Sequence, residues 1–493
     1  MDNEKSRAIG IMPYDREKVL TKLKQKKYDD IFLQGRGRLD DFIGFLYETG
    51  SLSLFAGIDS PMQRQGEIPR EFLHYCLTLK PVIECASVNQ LPGRLFEDVD
   101  TLRELGFTMI EIEDGFSVKN KKGKNVPVNL NAFYDELARL PETETNRFFQ
   151  VGVKLLDKQD FFTKKKGIYA IDAMKLLITG TKKYQGYGCM PSEDKSGGME
   201  YGYKLVLIQR VDGDDRYIVA ARLIPLNENE ITVAQKLVEE AISVLGEGRI
   251  GILLFDRGFL SGEFFDFLGS KKIDFVCPTR EDMHLTRYMQ GLHRTGEEVS
   301  VSLSDGTVLA GYDHLIRLDS CKRKINGVLI IKQGNRARKK VKEGKEFGFI
   351  TSLPASHHNQ FVRVYNLYSR RWKIEVNGNR ELKSSWYINR FPSQKWNGLC
   401  THIYFTLFMF NAVAAFRGRK GRMLAEKGIL SLRNKYFAPF EKRHMIGVIA
   451  DGYCATISLK ELLEITGLPA SKGKHKGPIW VKMPNGKKEL WVI

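Results

Sequence analysis

Runs of apolar residues separate a helical first part of the chain from a strand-rich middle part. The pattern over residues 1–160 is mainly helical, and we expect an accessory or DNA-binding domain there. From Gly167 onward, apolar runs joined by turn-rich connections predict three strands in an antiparallel meander. These runs are Gly167–Ile178, Tyr203–Val211 and Arg216–Ile224.

After the meander, helices and strands alternate. The pattern predicts a helix over Thr232–Leu245, a strand over Arg249–Asp256, a short helix over Gly262–Leu268 and a strand over Ile273–Pro278. The continuous apolar run before Asp256 is typical of a strand buried on both faces, as in the parallel part of a mixed sheet. The order βββαβαβ, with acidic residues on the first and fourth strands, predicts a mixed α/β fold with a ribonuclease-H-like core.

We expect this core to comprise residues 161–281 and 361–416, with a β-strand insertion at residues 282–360. The apolar segment Cys400–Phe416 is too short and too interrupted for a membrane span, so it predicts a buried helix and no membrane partner. Residues 417–493 carry 16 Lys and Arg against 6 Asp and Glu. This basic C-terminal region is expected to contact DNA or a second subunit.

The charge of the whole chain favours a polyanionic partner. The 493 residues carry a net charge of +18, which suits nucleic acid. The seven cysteines show no CxxC spacing, and the polar first residues show no secretory signal, so a cytoplasmic protein with reduced thiols is expected. The sequence contains no GxxxxGK[ST], HExxH or GxSxG motif, which argues against the corresponding nucleotide-binding, metalloprotease and hydrolase classes.

Three acidic residues are candidates for chemistry: Asp172, Asp256 and Glu375. Asp172 interrupts the first predicted strand, and Asp256 ends the fourth, where Asp-Arg-Gly-Phe follows a buried run. A predicted helix over residues 368–383 places Arg371 and Glu375 on one face, four residues apart. Three converging carboxylates would suit two Mg²⁺ ions about 3.5–4 Å apart, which can activate a water molecule or a 3′-hydroxyl group for attack on a phosphodiester.

Together these elements resemble the DDE transposases of bacterial insertion sequences. The similarity lies in Asp172 on its strand, in the segment Phe255–Phe259, and in the pattern Tyr368-x2-Arg371-x3-Glu375 followed by a lysine. It is specifically similar to the cut-and-paste group with a Tyr-Arg-Glu-Lys signature. One spacing differs, because that family has six residues between the glutamate and the lysine, whereas seven separate Glu375 from Lys383. A bulge at Asn377-Gly378-Asn379 is expected to absorb the extra residue.

The resemblance implies a role for each matched residue. Asp172, Asp256 and Glu375 would be the catalytic, metal-binding acids, with Mg²⁺ as the ion and Mn²⁺ as a substitute. Phosphates of double-stranded DNA, from the element ends and the target, would be contacted by Tyr368, Arg371 and Lys383. From charge and position we add three further candidate DNA contacts: Arg257, Lys339 and Lys340.

The expected function is therefore transposition in the bacterial cytoplasm, at the nucleoid. The enzyme would bind the terminal inverted repeats of its element, cleave the DNA and transfer the strand, and the resemblance implies a homodimer that pairs two ends. Two alternatives remain open: a ribonuclease-H-like nuclease that cleaves without strand transfer, and a domesticated DNA-binding protein.

Overall fold

The computed structural model of the chain describes residues 15–33, 39–61, 68–96, 98, 101–102, 105–116, 127–180, 183–192, 197–213, 217–296, 299–315, 318, 320–332, 345–419, 428–435, 445–467, 478–482 and 488–492. These residues form helices and strands that are numbered in chain order. The first 160 residues contain six α-helices and one strand among those described: α1 (Arg16–Lys24), β1 (Asp30–Leu33), α2 (Leu39–Glu48), α3 (Arg70–Leu79), α4 (Met109–Asp114), α5 (Leu130–Arg139) and α6 (Glu142–Lys158).

The middle of the chain holds most of the strands. In order they are β2 (Gly167–Leu177), β3 (Gly188–Pro191), β4 (Met199–Arg210), β5 (Ile218–Pro225), α7 (Ile231–Leu245), β6 (Ile250–Leu254), α8 (Gly262–Ser270), β7 (Asp274–Pro278), α9 (His284–Thr295), β8 (Val299–Ser302), β9 (Val308–Leu315), β10 (Ile325–Lys332), β11 (Lys345–Thr351) and α10 (His358–Ser369).

A π-helix over Ile374–Asn379 precedes the last group of elements. That group comprises α11 (Arg380–Ser384), α12 (Trp396–Arg419), α13 (Ile429–Lys435), β12 (Met445–Ala450), β13 (Tyr453–Ser458), α14 (Leu459–Thr466), β14 (Pro478–Lys482) and β15 (Lys488–Val492).

The chain forms two compact units, Met1–Gln159 with Ser384–Ile493, and Asp160–Lys383. In the first unit, α12 packs against α2, α3, α5 and α6. Phe405 and Phe408 of α12 lie edge-on to Phe148, with ring centroids 5.2 and 4.8 Å away. The helix predicted over Cys400–Phe416 is thus a buried core helix. Residues 384–416, which were predicted to belong to the catalytic core, lie in this first unit.

One helix in the described part of the chain, α12, has the length and apolarity to cross a membrane. However, 94% of its most apolar window is buried inside the protein, as is common for a core helix.

A smaller core in the first unit joins the two ends of the chain. Strand β1 pairs antiparallel with β12, which pairs with β13. Helix α1 covers this three-stranded sheet, because Val19 and Leu23 pack against Ile446, Val448 and Ile457. The sequence pattern gives no sign of this pairing, since its partners lie more than 400 residues apart.

The second unit is built on one large mixed sheet in the order β3–β4–β2–β6–β7–β11–β10–β9–β8, with β5 paired to β4. Strands β2, β4 and β5 form the antiparallel meander. Strands β2, β6 and β7 run parallel. The predicted order βββαβαβ is therefore observed, with the short strand β3 added. The fold is mixed α/β, with a multi-stranded mixed sheet.

The insertion at residues 282–360 extends this sheet. Its last strand, β11, pairs antiparallel with β7, and β10, β9 and β8 follow outward. The first part of this predicted β-strand insertion forms the helix α9. The helix buries Leu285 and Met289, which are four residues apart and so lie on one helical face.

Candidate functional site

The first acid lies on strand β2, and the second follows the end of the neighbouring parallel strand β6. Asp172 is in the interior of β2 and is 6% exposed. The register of β2 with β6 pairs Ala170 with Leu254. Two residues farther along each strand, Asp172 and Asp256 reach the same level and the same face of the sheet. The sheet therefore brings together two acids that are 84 positions apart in the sequence.

The tight turn after β6 holds Asp256 in place. The Oδ1 atom of Asp256 accepts a hydrogen bond of 2.9 Å from the backbone N–H of Gly258 and so begins a 3₁₀ turn over Arg257–Phe259. A Cβ atom at Gly258 would lie 2.6 Å from Oε1 of Glu230 and 3.0 Å from Oδ1 of Asp256. The glycine of the Asp-Arg-Gly-Phe segment is needed because two carboxylates approach its backbone.

Glu375 lies on a helical segment that is not one continuous α-helix. The predicted continuous helix over residues 368–383 is wrong in detail, because α10 ends at Ser369 and a π-helix begins at Ile374. The predicted pairing of Arg371 with Glu375 is observed, with Nη2 of Arg371 2.6 Å from Oε1 of Glu375. The Nη1 atom of Arg371 also lies 3.7 Å from Oδ1 of Asp172.

The π-helix explains the unusual spacing before Lys383. A π-turn contains one more residue than an α-turn, so eight residues that include one such turn advance about as far as seven α-helical residues, roughly 700°. Lys383 therefore returns to within about 20° of the direction of Glu375. The bulge expected at Asn377–Asn379 is confirmed, since the π-helix spans Ile374–Asn379.

Lys383 also lies in the electrostatic environment of the acids. It is half-buried, and burial lowers its pKa, with Lys175 adding to that effect and Asp172 opposing it. The opposing effect of Asp172 places the ammonium group within electrostatic reach of the buried carboxylate. A lysine there adds positive charge at the edge of the acidic cluster.

The acids are poorly neutralised by the protein alone. Burial raises the pKa of Asp172, Arg371 opposes that rise, and Asp256 and Glu375 add to it, so that the pKa is raised to about 7. Burial also raises the pKa of Asp256, against the effects of the Gly258 N–H and Arg371. A buried carboxyl group near other carboxylates holds its proton because charge is costly there. The cluster therefore has the electrostatics of a cation-binding site.

Tyr368 lies beside the arginine and against the sheet. Its ring centroid is 4.5 Å from that of Phe349, and the Arg371 guanidinium carbon is 5.4 Å from the Tyr368 centroid. Burial raises the pKa of Tyr368, so its hydroxyl group keeps its proton. Burial acts to lower the pKa of Arg371, but Tyr368, Asp172 and Glu375 outweigh it and the pKa rises.

Of the other predicted DNA contacts, one lies at the edge of this cluster and two lie outside the described residues. Arg257 is exposed directly after Asp256 and acts electrostatically on that carboxylate. Lys339 and Lys340 lie outside the described residues.

Sequence reasoning missed two side chains at the site. The Nδ2 atom of Asn379 donates a hydrogen bond of 2.7 Å to Oδ2 of Asp172. Glu230, at the start of α7, acts electrostatically on Asp256 and accepts a hydrogen bond of 2.6 Å from Nζ of Lys204. The extra residue before Lys383 indicated a bulge that includes Asn379, whereas nothing in the sequence indicated Glu230.

The donor chemistry fits a hard divalent cation. Carboxylate oxygens are the ligands that Mg²⁺ and Mn²⁺ prefer, and Asp172, Asp256 and Glu375 supply them. In the described part of the chain, no three His, Cys, Asp or Glu side chains lie close enough to form a complete metal-binding group. The guanidinium of Arg371, placed between Asp172 and Glu375, supplies positive charge at that position.

A family model and a solved structure match this chain. Residues 163–412 match the family model described as the transposase DDE domain. No curated protein gives a significant match. Among solved structures, the chain is similar to the cryo-EM structure of a piggyBac transposase synaptic complex with hairpin DNA, with a TM-score of 0.39 and 12% identity. That similarity covers 90% of this chain and 89% of the other.

Proposed function

Because the chain belongs to the transposase DDE domain family, and so is a DDE transposase, we propose that it cleaves DNA at the ends of its own mobile element and joins the freed ends to target DNA. The observation that carries this proposal is the convergence of Asp172, Asp256 and Glu375 around Arg371. Asp172 lies on β2, Asp256 follows the parallel strand β6, and Glu375 lies on a helical segment, all within one compact unit. Such a cluster suits phosphodiester chemistry that needs no side-chain nucleophile.

DDE transposases generally use divalent metal ions. We propose Mg²⁺, with Mn²⁺ as a substitute, held by Asp172, Asp256 and Glu375. A pair of bound ions would activate the attacking water or 3′-hydroxyl group and stabilise the departing oxygen. The raised pKa of Asp172 supports this assignment, because a cation would offset the charge that the protein leaves uncompensated.

The positively charged side chains around the acids are proposed to bind DNA phosphates and not the metal ions. Arg371 is 8% exposed and is oriented by its contacts with Asp172 and Glu375. Lys383 and Arg257 are at the edge of the cluster, where a phosphate can approach. We propose that Arg371, Lys383 and Tyr368 bind phosphates of the element end, because a guanidinium offers paired donors to phosphate oxygens and a lysine adds a mobile charge. Arg257, Lys339 and Lys340 would add further contacts.

The remaining parts of the proposal concern fold and assembly. The sheet order β5–β4–β2–β6–β7, with β2, β6 and β7 parallel, supports a ribonuclease-H-like core. The net charge of +18 supports double-stranded DNA as the partner. Membership of the bacterial insertion-sequence group rests on the Tyr368–Arg371–Glu375–Lys383 pattern. A homodimer that pairs two ends, and the bacterial cytoplasm as the location, complete the proposal.

The experiment that tests this function separates cutting from joining. The purified protein is incubated with Mg²⁺, a labelled duplex from the DNA that flanks its gene, and a target plasmid. Transposition predicts release of the flank and covalent joining of the labelled 3′ end to the plasmid. A nuclease without strand transfer would release ends that never join, and a domesticated DNA-binding protein would retain the duplex uncut.

A further inference from the structure

One hydrogen bond at the site comes from a residue outside the four-residue signature. Asn379 closes the π-helix, and its Nδ2 atom donates to Oδ2 of Asp172 at 2.7 Å. Both side chains are buried, with Asn379 9% and Asp172 6% exposed. The other oxygen of Asp172, Oδ1, faces the Arg371 guanidinium at 3.7 Å. The two oxygens of Asp172 thus have separate partners.

The packing of the π-helix on the sheet brings Asn379 to this position. Gly378 lies so close to Gln209 of β4 that a Cβ atom would be 2.2 Å from its Oε1 atom. Gln209 pairs with Ala170 in the β2–β4 ladder, so it lies on the same face of the sheet as Asp172. A larger residue at position 378 would lift the π-helix and draw Asn379 away from Asp172.

The NH₂ group of the Asn379 amide faces Asp172. This is the orientation that an ionised, cation-binding carboxylate requires, because such a group only accepts hydrogen bonds. The Oδ1 atom of Asn379 is then left buried without a hydrogen-bond partner. Leaving a buried acceptor unsatisfied costs about 1–3 kcal/mol. The asparagine carries that cost and also makes the buried hydrogen bond to Asp172.

We propose that Asn379 is a positioning residue, which fixes the carboxylate of Asp172 so that its Oδ1 atom is presented to a divalent cation. This inference rests on the proposed metal-dependent function. Partners that orient a ligating carboxylate typically change metal affinity by roughly 10–100-fold when they are removed. The π-turn therefore returns Lys383 to the side of Glu375 and also supplies the group that orients Asp172.

The test measures Mn²⁺ binding to the full-length protein without DNA, by electron paramagnetic resonance. Asn379→Leu removes the hydrogen bond at similar size, and Asn366→Leu makes the same change at an exposed position on α10. We expect Asn379→Leu to weaken Mn²⁺ binding by roughly 10–100-fold and Asn366→Leu to leave it unchanged. Wild-type affinity in Asn379→Leu would overturn the inference. A purely structural role would lower the melting temperature of the metal-free protein and leave Mn²⁺ affinity unaltered.

Two more variants separate failure of the Asn379 role from misfolding and from the absence of a metal site. If Asn379→Leu does not fold, as judged by circular dichroism, Asn379→Ser takes its place, because its hydroxyl group is too short to reach Asp172. Weaker Mn²⁺ binding is again expected, and wild-type affinity would again reject the role. Asp172→Asn should abolish the binding seen in the wild type. If the wild type binds no Mn²⁺, or if Asp172→Asn binds it equally well, the metal site itself fails, which differs from failure of the Asn379 role alone.

Discussion

The Nη2 atom of Arg371 lies 2.6 Å from Oε1 of Glu375, one helical turn later in the chain. The same guanidinium approaches Asp172 on strand β2 at 3.7 Å. The Arg371 guanidinium therefore lies close to two carboxylates from different secondary-structure elements. A divalent ion held by these acids would compete with Arg371 for the same oxygens, and Arg371 would become available to a DNA phosphate.

Glu375→Gln should abolish cleavage and leave DNA binding nearly intact, because the change removes a metal ligand and keeps the shape of the side chain. Its effect on stability should be small, about 1 kcal/mol or less, since the Glu375 carboxylate is partly exposed. A cleavage assay and a mobility-shift assay on the same duplex measure both. Glu381→Gln is the matched control, and it should cleave normally. Full cleavage by Glu375→Gln would refute the assignment of Glu375.

Arg371→Ala should weaken binding to element ends and reduce the salt dependence of that binding by about one phosphate contact. The measurement is the dissociation constant over a series of salt concentrations. Arg371→Lys keeps the charge but loses the paired donors, so it should retain the salt dependence while binding more weakly than the wild type. An unchanged slope for Arg371→Ala would exclude a phosphate contact.

Lys383→Ala should lower end binding by roughly 10–100-fold, because a hydrogen bond to a charged group contributes about 1.5–3 kcal/mol. Lys373→Ala is the control, since Nζ of Lys373 donates to the backbone oxygen of Gly213 at 2.9 Å. Binding by the control should be close to that of the wild type. If Lys383→Ala binds and cleaves normally, the π-turn does not serve to place a DNA-contacting lysine.

The metal-free protein should lose stability relative to Asp172→Asn as the pH rises from about 4 to about 7. The folded-state pKa of Asp172 is raised to about 7, so the folded state holds this proton more tightly than the unfolded state, and the advantage disappears as the pH rises through that value. The difference amounts to about 4 kcal/mol at most. Asp256 is present in both proteins, so its effect largely cancels.

Denaturant unfolding in the presence of a chelator measures this difference at each pH. Added Mn²⁺ should restore stability to the wild type near neutral pH and have little effect on Asp172→Asn. A stability difference that does not change between pH 4 and 7 would show that Asp172 is not held in the protonated form by its surroundings.

Local sequence patterns predicted the parts of the site that depend on local structure. Apolar runs located the strand that carries Asp172 and the strand that Asp256 follows, and the four-residue spacing located the contact between Arg371 and Glu375. The bulge was predicted from the resemblance, because Lys383 lies one residue farther from Glu375 than in the similar family and helical geometry requires compensation for it.

The rest of the structure depends on contacts between distant parts of the chain. Asn379 and Glu230 reach the acids only because a π-helix and a helix start pack against the sheet. The break after Ser369 follows no helix-breaking residue. The pairing of β1 with β12 joins segments that carry no complementary sequence signal. Side-chain packing between distant segments determines each of these features. The spacing of apolar residues along the chain does not indicate which distant side chains pack together.

The central claim is that Asp172, Asp256 and Glu375 hold divalent ions at one site. Iron-directed cleavage of the polypeptide tests it most directly. Fe²⁺ is added in place of Mg²⁺ with ascorbate and peroxide, so that radicals formed at the ion cut the nearby backbone. The account predicts cuts close to residues 172, 256 and 375, and their loss in Asp172→Asn. Cuts confined to other regions, or the same cuts in Asp172→Asn, would contradict it.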